Sequence, residues 1–457
     1  MSLWTSAEIA AATGGTASVD FAVTGVAFDS REVGPGDLFV AMRGEASDGH
    51  LFLDQAFAQG AAGAIVSQPT DHPHVLVADS FAALEDLGRA ARARSSATII
   101  GVTGSVGKTS AKEALFAALD RGRPGAVHRS VKSYNNHTGV PLSLARMPRD
   151  AEFGVFEMGM NHAGELAALT RIVRPHIAMV TAIAPAHTAF FSGEEAIADA
   201  KGEIFQGLEA EGTAIVPFDS PHRDRLSAAA RPHAAHLVRF GLDKGADVHA
   251  IETVRLATGA TFVTARLGER ELSFTIAQPG MHWVSNALGV LACVEAAGGD
   301  LGLAGLALAE LGGLQGRGAR ALVALPDGGA ALFIDESYNA NPASMRATLA
   351  VLAHEPGRHV AVLGEMRELG AASADYHAAL AEPIVAARVE TALLVGEAMA
   401  PLARALEGRV DFVHVADAAA ALASLRTILT PGDAVLVKGS NGVGLARVVA
   451  GLGGGKI

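Results

Sequence analysis

The stretch ARARSSATIIGVTGSVGKTSAKEALFAALD, residues 91–120, decides how the chain is read. A basic, serine-containing linker gives way to a β-branched run from about Thr98 to Val102 that reads as a buried strand. The Ala-rich segment after Lys108 reads as a helix. Between them Thr103, Gly104, Ser105, Val106, Gly107, Lys108 and Thr109 form a turn that ends as a phosphate loop does. Its glycines let backbone N–H groups approach phosphate oxygens, Lys108 can neutralise the outer phosphates, and Thr109 at the helix start can ligate Mg²⁺. Val102 stands where the strict Walker A pattern has its first glycine. The plain alternative is a Gly-rich turn with a surface lysine, but strand, turn, Gly-Lys-Thr and helix in succession favour nucleotide binding.

Before this turn, DLFVAM, GAAGAIVS and HVLVA alternate with Ala-rich helical stretches, as in a small α/β domain over residues 1–95. After it, GVFEMG, IAMVTAI and GTAIVPF continue the βαβ rhythm of a parallel sheet. From Val248 to Ile276 the residues alternate, which predicts an attached antiparallel segment that closes a central domain over 96–317. AALFIDES, HVAVLGEM, TALLVGE and AVLVKGS then predict a third, Rossmann-like α/β domain over 318–457.

The 457 residues carry 36 basic and 48 acidic side chains, a net charge of −12, which argues against a nucleic-acid footprint. The longest apolar stretch, Gly289 to Leu311, is interrupted by Glu295, Asp300 and Glu310 and reads as soluble helix, so no membrane insertion is expected. Thr5 and Glu8 make a capping-box pattern, and the first residues carry no visible export signal. The single cysteine, Cys293, excludes an intrachain disulfide framework and fits a cytoplasmic chain. The glycines of the KGSNGVG stretch, 439, 442 and 444, run GxxGxG, not GxGxxG, and read as a helix-start loop.

Seven of the basic residues are lysines, and three of these, Lys108, Lys201 and Lys438, lie in Gly-flanked motifs. Where Arg is the default cation, a retained Lys marks a site needing a compact charge or an amine. Glu157 closes a strand, where a carboxylate faces the ligand crevice of an open α/β sheet and can hold Mg²⁺. A solvated strand-end acid is equally compatible. His187 and Lys201 taken alone read as structural and exposed, respectively.

In this order the motifs resemble the Mur ligase family, ATP-dependent amide-bond-forming enzymes of peptidoglycan precursor synthesis. TGSVGKT, GRGAR, FIDESYNANP and VLVKGS are similar to its nucleotide-site segments, and residues 29–66 to its UDP-binding N-terminal domain. YNNHTGVPLSLAR, EMGMNHAGEL, DESYNANPASMRATL and GEMRELG resemble the members that use D-alanyl-D-alanine, and the Asp-Asn-Pro-Arg signature of the tripeptide-forming members is absent. The resemblance implies joining of D-alanyl-D-alanine to UDP-N-acetylmuramoyl-tripeptide through an acyl phosphate, with ATP and Mg²⁺, by a monomer. Another Mur-type ligase, a folate or polyamide ligase, or a regulatory P-loop ATPase are the alternatives.

The resemblance also implies roles for individual residues. Lys108, Glu157, His187 and Lys201 would be catalytic. Thr109, Glu157, His187 and a carbamylated Lys201 would hold the metal. Asn286 would contact adenine, Arg317 and Lys438 the phosphates, and Asp335 and Tyr338 ribose and base. Asn135, Asn136, Asn339 and Asn341 would lie near substrate, Ser30, Arg31 and His50 near UDP, and Glu365, Met366, Glu368 and Leu369 near D-alanyl-D-alanine. Asn441 departs from the Arg that more often follows KGS in the family.

Overall fold

A computed structural model describes residues 2–44, 47–185, 188–326 and 328–452. It contains three α/β domains, each built on its own main sheet. In the first, the strands Gly25–Ala27, Asp37–Val40, Gly63–Val66 and His74–Leu76 pair in parallel, and Thr16–Ala17 adds antiparallel to the last. The capping box of Thr5 and Glu8 starts the helix Ser6–Thr13.

The expected linker is largely helix. Ser80–Ala93 runs through its first residues. Arg92, 5% exposed, donates from Nε to Val173 O at 2.9 Å and from Nη2 to Arg174 O at 2.9 Å. The Arg94 guanidinium lies 3.4 Å over the Trp4 ring, whose Nε1 donates to Ala145 O. In sequence these arginines only make the stretch basic, because nothing local shows that their stems pack at a domain junction. One hydrophobic core accordingly runs from Trp4 and Leu87 through to Leu142 and Phe156, uniting the first two domains.

The central sheet has nine strands. Seven of these pair in parallel, in the order Val248–Arg255, His236–Gly241, Thr213–Pro217, Ile177–Val180, Thr98–Thr103, Phe153–Glu157 and Val127–Arg129. The predicted antiparallel segment is the ribbon Val248–Arg255, Thr261–Leu267 and Arg270–Ile276. Two of the parallel strands, HLVRFG and VHR, are too short or too polar to signal a strand by pattern. The apolar stretch 289–311 belongs to two helices, Met281–Ala296 and Leu301–Glu310. Gly298 turns left-handed between them and Asp300 caps the second by accepting from Leu303 N. Among the described residues no helix is long and apolar enough to cross a membrane.

The third domain is a six-stranded open sheet ordered Ala319–Ala324, Ala330–Glu336, Ala434–Lys438, His359–Gly364, Val389–Val395 and Asp411–Val415, antiparallel only at the first pair. Apolar clusters cover both of its faces. Its parallel strands end in the loops that carry Glu336, Glu365 and Ser440, where ligands bind open α/β sheets.

Candidate active site

The turn after Thr98–Thr103 has the backbone a phosphate loop requires. Gly104 has φ 151° and Gly107 φ 87°, and the helix Lys108–Gly122 starts directly behind. A Cβ on Gly104 would lie 1.9 Å from Thr181 Oγ1, and one on Gly107 2.9 Å from the Asn286 amide. Thr181 Oγ1 donates to Val106 O at 2.5 Å, so the neighbouring strand end props the loop open. Among the described residues the buried hydroxyls of Thr103 and Ser105 have no hydrogen-bond partner, and Ser105 lines the cleft. An unsatisfied loop hydroxyl facing a cavity fits a ligand that brings acceptors.

Lys108 Nζ donates to Gly104 O at 2.7 Å. Burial lowers its pKa, Glu157 opposes this and Arg317 adds to it. Thr109 Oγ1 donates to Glu157 Oε2 at 2.8 Å, and Asn135 Nδ2 to Glu157 Oε1 at 2.7 Å. Glu157 is 1% exposed, so a carboxylate and a hydroxyl are held together at the start of a phosphate-loop helix. Two hard oxygen donors beside phosphate-binding amides fit Mg²⁺. Among the described residues no three His, Cys, Asp or Glu side chains converge.

Lys201 lies buried in the helix Glu194–Gly202. Burial first, and Lys108 second, hold its amine well below the usual lysine range. The solvated position that its local sequence suggests is not what the fold provides. His187 lies outside the described residues.

The opposite wall of the cleft, whose volume is about 450 Å³, comes from the third domain. Lys438, 2% exposed, donates to Asn339 O at 2.8 Å and pairs with Glu336 at 3.5 Å. Arg317 lies 4.2 Å over the Tyr338 ring and reaches Ser133 Oγ at 3.4 Å across the domain boundary. Asn286, Tyr338, Asn339 and Asn341 also line this space.

Several expected ligand residues also make hydrogen bonds within the fold. Both Asp335 oxygens are taken by their own loop, Oδ2 by Gly316 N and Oδ1 by Ser337 N and Oγ, so Asp335 shapes the turn that presents Arg317 and does not line the cleft. Asn341 caps the helix Pro342–Leu352. Asn136 Oδ1 accepts from Thr138 N and Gly139 N at the start of Gly139–Ala145. Met366 and Leu369 are buried in the third-domain core. His50 is held by Asp48 at Nδ1 and accepts from Ser67 N at Nε2, Ser30 Oγ donates to Gln55 Oε1, and Arg31 pairs with Asp29. Glu365 Oε2 accepts from Ala398 N, and Glu368 adopts φ 63° with its carbonyl accepting from Ala189 N. Sequence reading passed over Thr181, Ser133, Glu336 and His282. Glu336 adjoins Asp335 and His282 stands four residues before Asn286, whereas nothing local marks Thr181 or Ser133.

A phosphate loop on one domain facing a buried lysine and a stacked arginine on another defines a nucleotide-dependent enzyme whose site is shared between domains. The Mur ligase family catalytic domain matches residues 22–113, the Mur ligase middle domain 102–294, and the Mur ligase glutamate ligase domain 323–441. The UDP-N-acetylmuramoyl-tripeptide--D-alanyl-D-alanine ligase of Escherichia coli is 34% identical over 95% of this chain and 94% of its own length. Its Bacillus subtilis counterpart is 31% identical over 93% and 92%. A crystal structure of MurF from Acinetobacter baumannii matches with TM-score 0.85 at 31% identity, covering 98% of each chain. The MurF ligase of Thermotoga maritima in complex with ADP matches with TM-score 0.77 at 26% identity over 94% and 96%. The chain belongs to the Mur ligase family.

Proposed function

We propose that this chain joins D-alanyl-D-alanine to UDP-N-acetylmuramoyl-tripeptide with hydrolysis of ATP to ADP and phosphate, in the cytoplasm. The observation that carries the reading is the Thr109–Glu157 pair at the phosphate loop, set across a shared cleft from Lys438 and Arg317. Residues 1–95 hold the nucleotide sugar, 96–317 ATP, and 318–457 complete the ATP site and receive the dipeptide.

Both reactants of the first step are anions. The tripeptide carboxylate attacks the γ-phosphorus, an acyl phosphate forms, and ADP leaves. The dipeptide amine then attacks the acyl carbon and expels phosphate. In a chain of net charge −12 the field that lets two anions meet must be local. Lys108 and the amides from Gly104 to Thr109 cradle the phosphates. Arg317, at the end of the central domain and stacked on Tyr338 of the third, and Lys438 of the third domain bring positive charge to the far wall, so the site assembles only with that domain in place. Thr109 and Glu157 would hold Mg²⁺, which when bound supplies charge neutralisation between phosphate oxygens. Lys201, as an amine, cannot ligate a cation while protonated. Its burial favours the neutral form that CO₂ can convert to a carbamate, an oxygen donor that would serve a second metal.

Phosphate release is the decisive assay. It should require UDP-N-acetylmuramoyl-tripeptide and D-alanyl-D-alanine together. Release that ignores both substrates would instead make the protein a regulatory ATPase.

A further inference from the structure

Two neighbouring parallel strands of the third domain, His359–Gly364 and Ala434–Lys438, run side by side with Leu363 opposite Lys438. Their loops, 365–370 and 439–444, therefore emerge together at the carboxyl edge of the sheet. A third loop, from the central domain, meets them there: Thr188 Oγ1 donates to Leu369 O at 2.9 Å and Ala189 N to Glu368 O at 3.1 Å. The three loops converge next to the strand that ends in Lys438.

Arg367 stands in this convergence. Its backbone is fixed, because Arg367 N donates to Ser440 Oγ at 2.9 Å. Its guanidinium is seated on Gly442 so closely that a Cβ there would lie 2.0 Å from Nη1 and 2.7 Å from Cζ. A side chain at 442 would therefore push the guanidinium off this seat, and Asn441 brings no charge of its own to the loop. The guanidinium remains half-exposed, with a side-chain exposure of 54%, and its partner Glu365 is 3.8 Å away, beyond hydrogen-bonding distance. Other cations near the cleft are already engaged. Lys438 is buried against Asn339 O and Glu336, and Arg317 is stacked on Tyr338.

D-alanyl-D-alanine carries an amine that must reach the acyl phosphate and, at its other end, a carboxylate that takes no part in the reaction. A planar guanidinium whose backbone is anchored and whose donors face solvent is suited to bind such a carboxylate through two parallel hydrogen bonds. We propose that Arg367, seated on Gly442, binds the terminal carboxylate of the incoming dipeptide and so selects a free C-terminus. The assignment rests on the ligase reading above and names the specificity residue of its second substrate.

The test is steady-state phosphate release with D-alanyl-D-alanine and with its C-terminal amide, D-alanyl-D-alaninamide, for wild type, Arg367→Ala, Arg367→Lys and Gly442→Ala. Loss of a charge-assisted bidentate contact should raise the KM for D-alanyl-D-alanine about tenfold or more in Arg367→Ala. The KM values for ATP and the nucleotide-sugar peptide should stay within about twofold of wild type, since neither substrate touches this side chain. Gly442→Ala should behave like Arg367→Ala, and Arg367→Lys should recover part of the loss. Wild type should prefer the free acid over the amide, and Arg367→Ala should treat the two alike. A variant that keeps the wild-type preference overturns the assignment and leaves the ligase reading intact. A wild-type protein that shows no dipeptide-dependent phosphate release overturns that reading first.

Discussion

Tyr134 Oη donates to Glu32 Oε1 at 2.8 Å, tying the first domain to the loop beneath the phosphate-loop helix. Glu32 closes the short turn Ser30–Glu32, and Lys132 pairs with the same carboxylate. On the other side Asn135, next to Tyr134, holds Glu157, which holds Thr109. Lys112, fully buried, clamps the loop from below by donating to Ser130 O and Lys132 O. A line of hydrogen bonds on either side of the covalently joined Tyr134 and Asn135 therefore connects the expected nucleotide-sugar end to the hydroxyl and carboxylate at the ATP end.

If that line transmits position, Tyr134→Phe and Glu32→Gln should each weaken ATP use. Removing one such bond is expected to cost about 0.5–1.5 kcal/mol, a two- to tenfold rise in the KM for ATP with the nucleotide sugar present. Glu32→Gln also loses the charge that pairs with Lys132, so it should cost more than Tyr134→Phe, and the double variant should cost less than the sum of the two because they share the Tyr134–Glu32 contact. Fully additive effects would show that the two residues act independently.

The phosphate loop gives a sharper expectation. Gly104→Ala forces a Cβ to within 1.9 Å of Thr181 Oγ1 at a φ of 151°. The loop must move, and the amides that cradle phosphate move with it. ATP affinity measured by calorimetry should fall by about two orders of magnitude, as when a positioned oxyanion donor is lost. The melting temperature should change little, since the strand behind and the helix ahead stay packed. Retained ATP affinity would show that Gly104 is not needed for the cradle.

How far the sequence could be read follows from where the information lies. The phosphate loop was legible because its chemistry is consecutive: strand, glycines, Lys108 and Thr109 stand within a dozen residues, and each local choice agrees with the next. The ribbon 248–276 was legible from its period of two. The packing of Arg92 and Arg94 was not legible because their partners, Val173, Arg174 and Trp4, are about 80 or more residues away in the chain. The same distance hid Thr181 and Ser133. Asp335, Asn341 and Asn136 show the opposite limit: a polar residue at a strand or helix end satisfies loop amides as readily as it binds a ligand, and spacing does not separate the two uses.

Lys201 is open to a chemical test. A buried amine whose pKa desolvation first and Lys108 second lower well below the ordinary lysine range should react reversibly with CO₂. Removing CO₂ and bicarbonate should lower turnover, and adding bicarbonate should restore it. Lys201→Ala should lose activity and regain part of it with acetate or another short carboxylic acid. Turnover indifferent to CO₂, together with a Lys201→Ala variant that short acids do not rescue, would remove the carbamate from the mechanism.

The last expectation concerns stability. His128 lies on the strand Val127–Arg129, with Nε2 bonded to Ser143 O at 2.7 Å. Burial pushes its pKa from 6.5 down to about 4; the Ser143 bond opposes this, and Arg146 and Arg129 add to the fall. Unfolded, the ring takes up a proton as the pH drops through about 6.5, while the folded ring stays neutral until about 4. Its contribution is therefore intact above pH 6.5 and lost progressively as the pH falls toward 4. Urea unfolding of wild type and His128→Gln between pH 7.5 and 4.5 isolates this group, because glutamine does not titrate. The stability gap between the two should move by about 2 kcal/mol in the variant's favour toward the acid end. A gap that stays constant over this range would show that His128 binds its proton equally in both states, and burial would then not be what sets its charge.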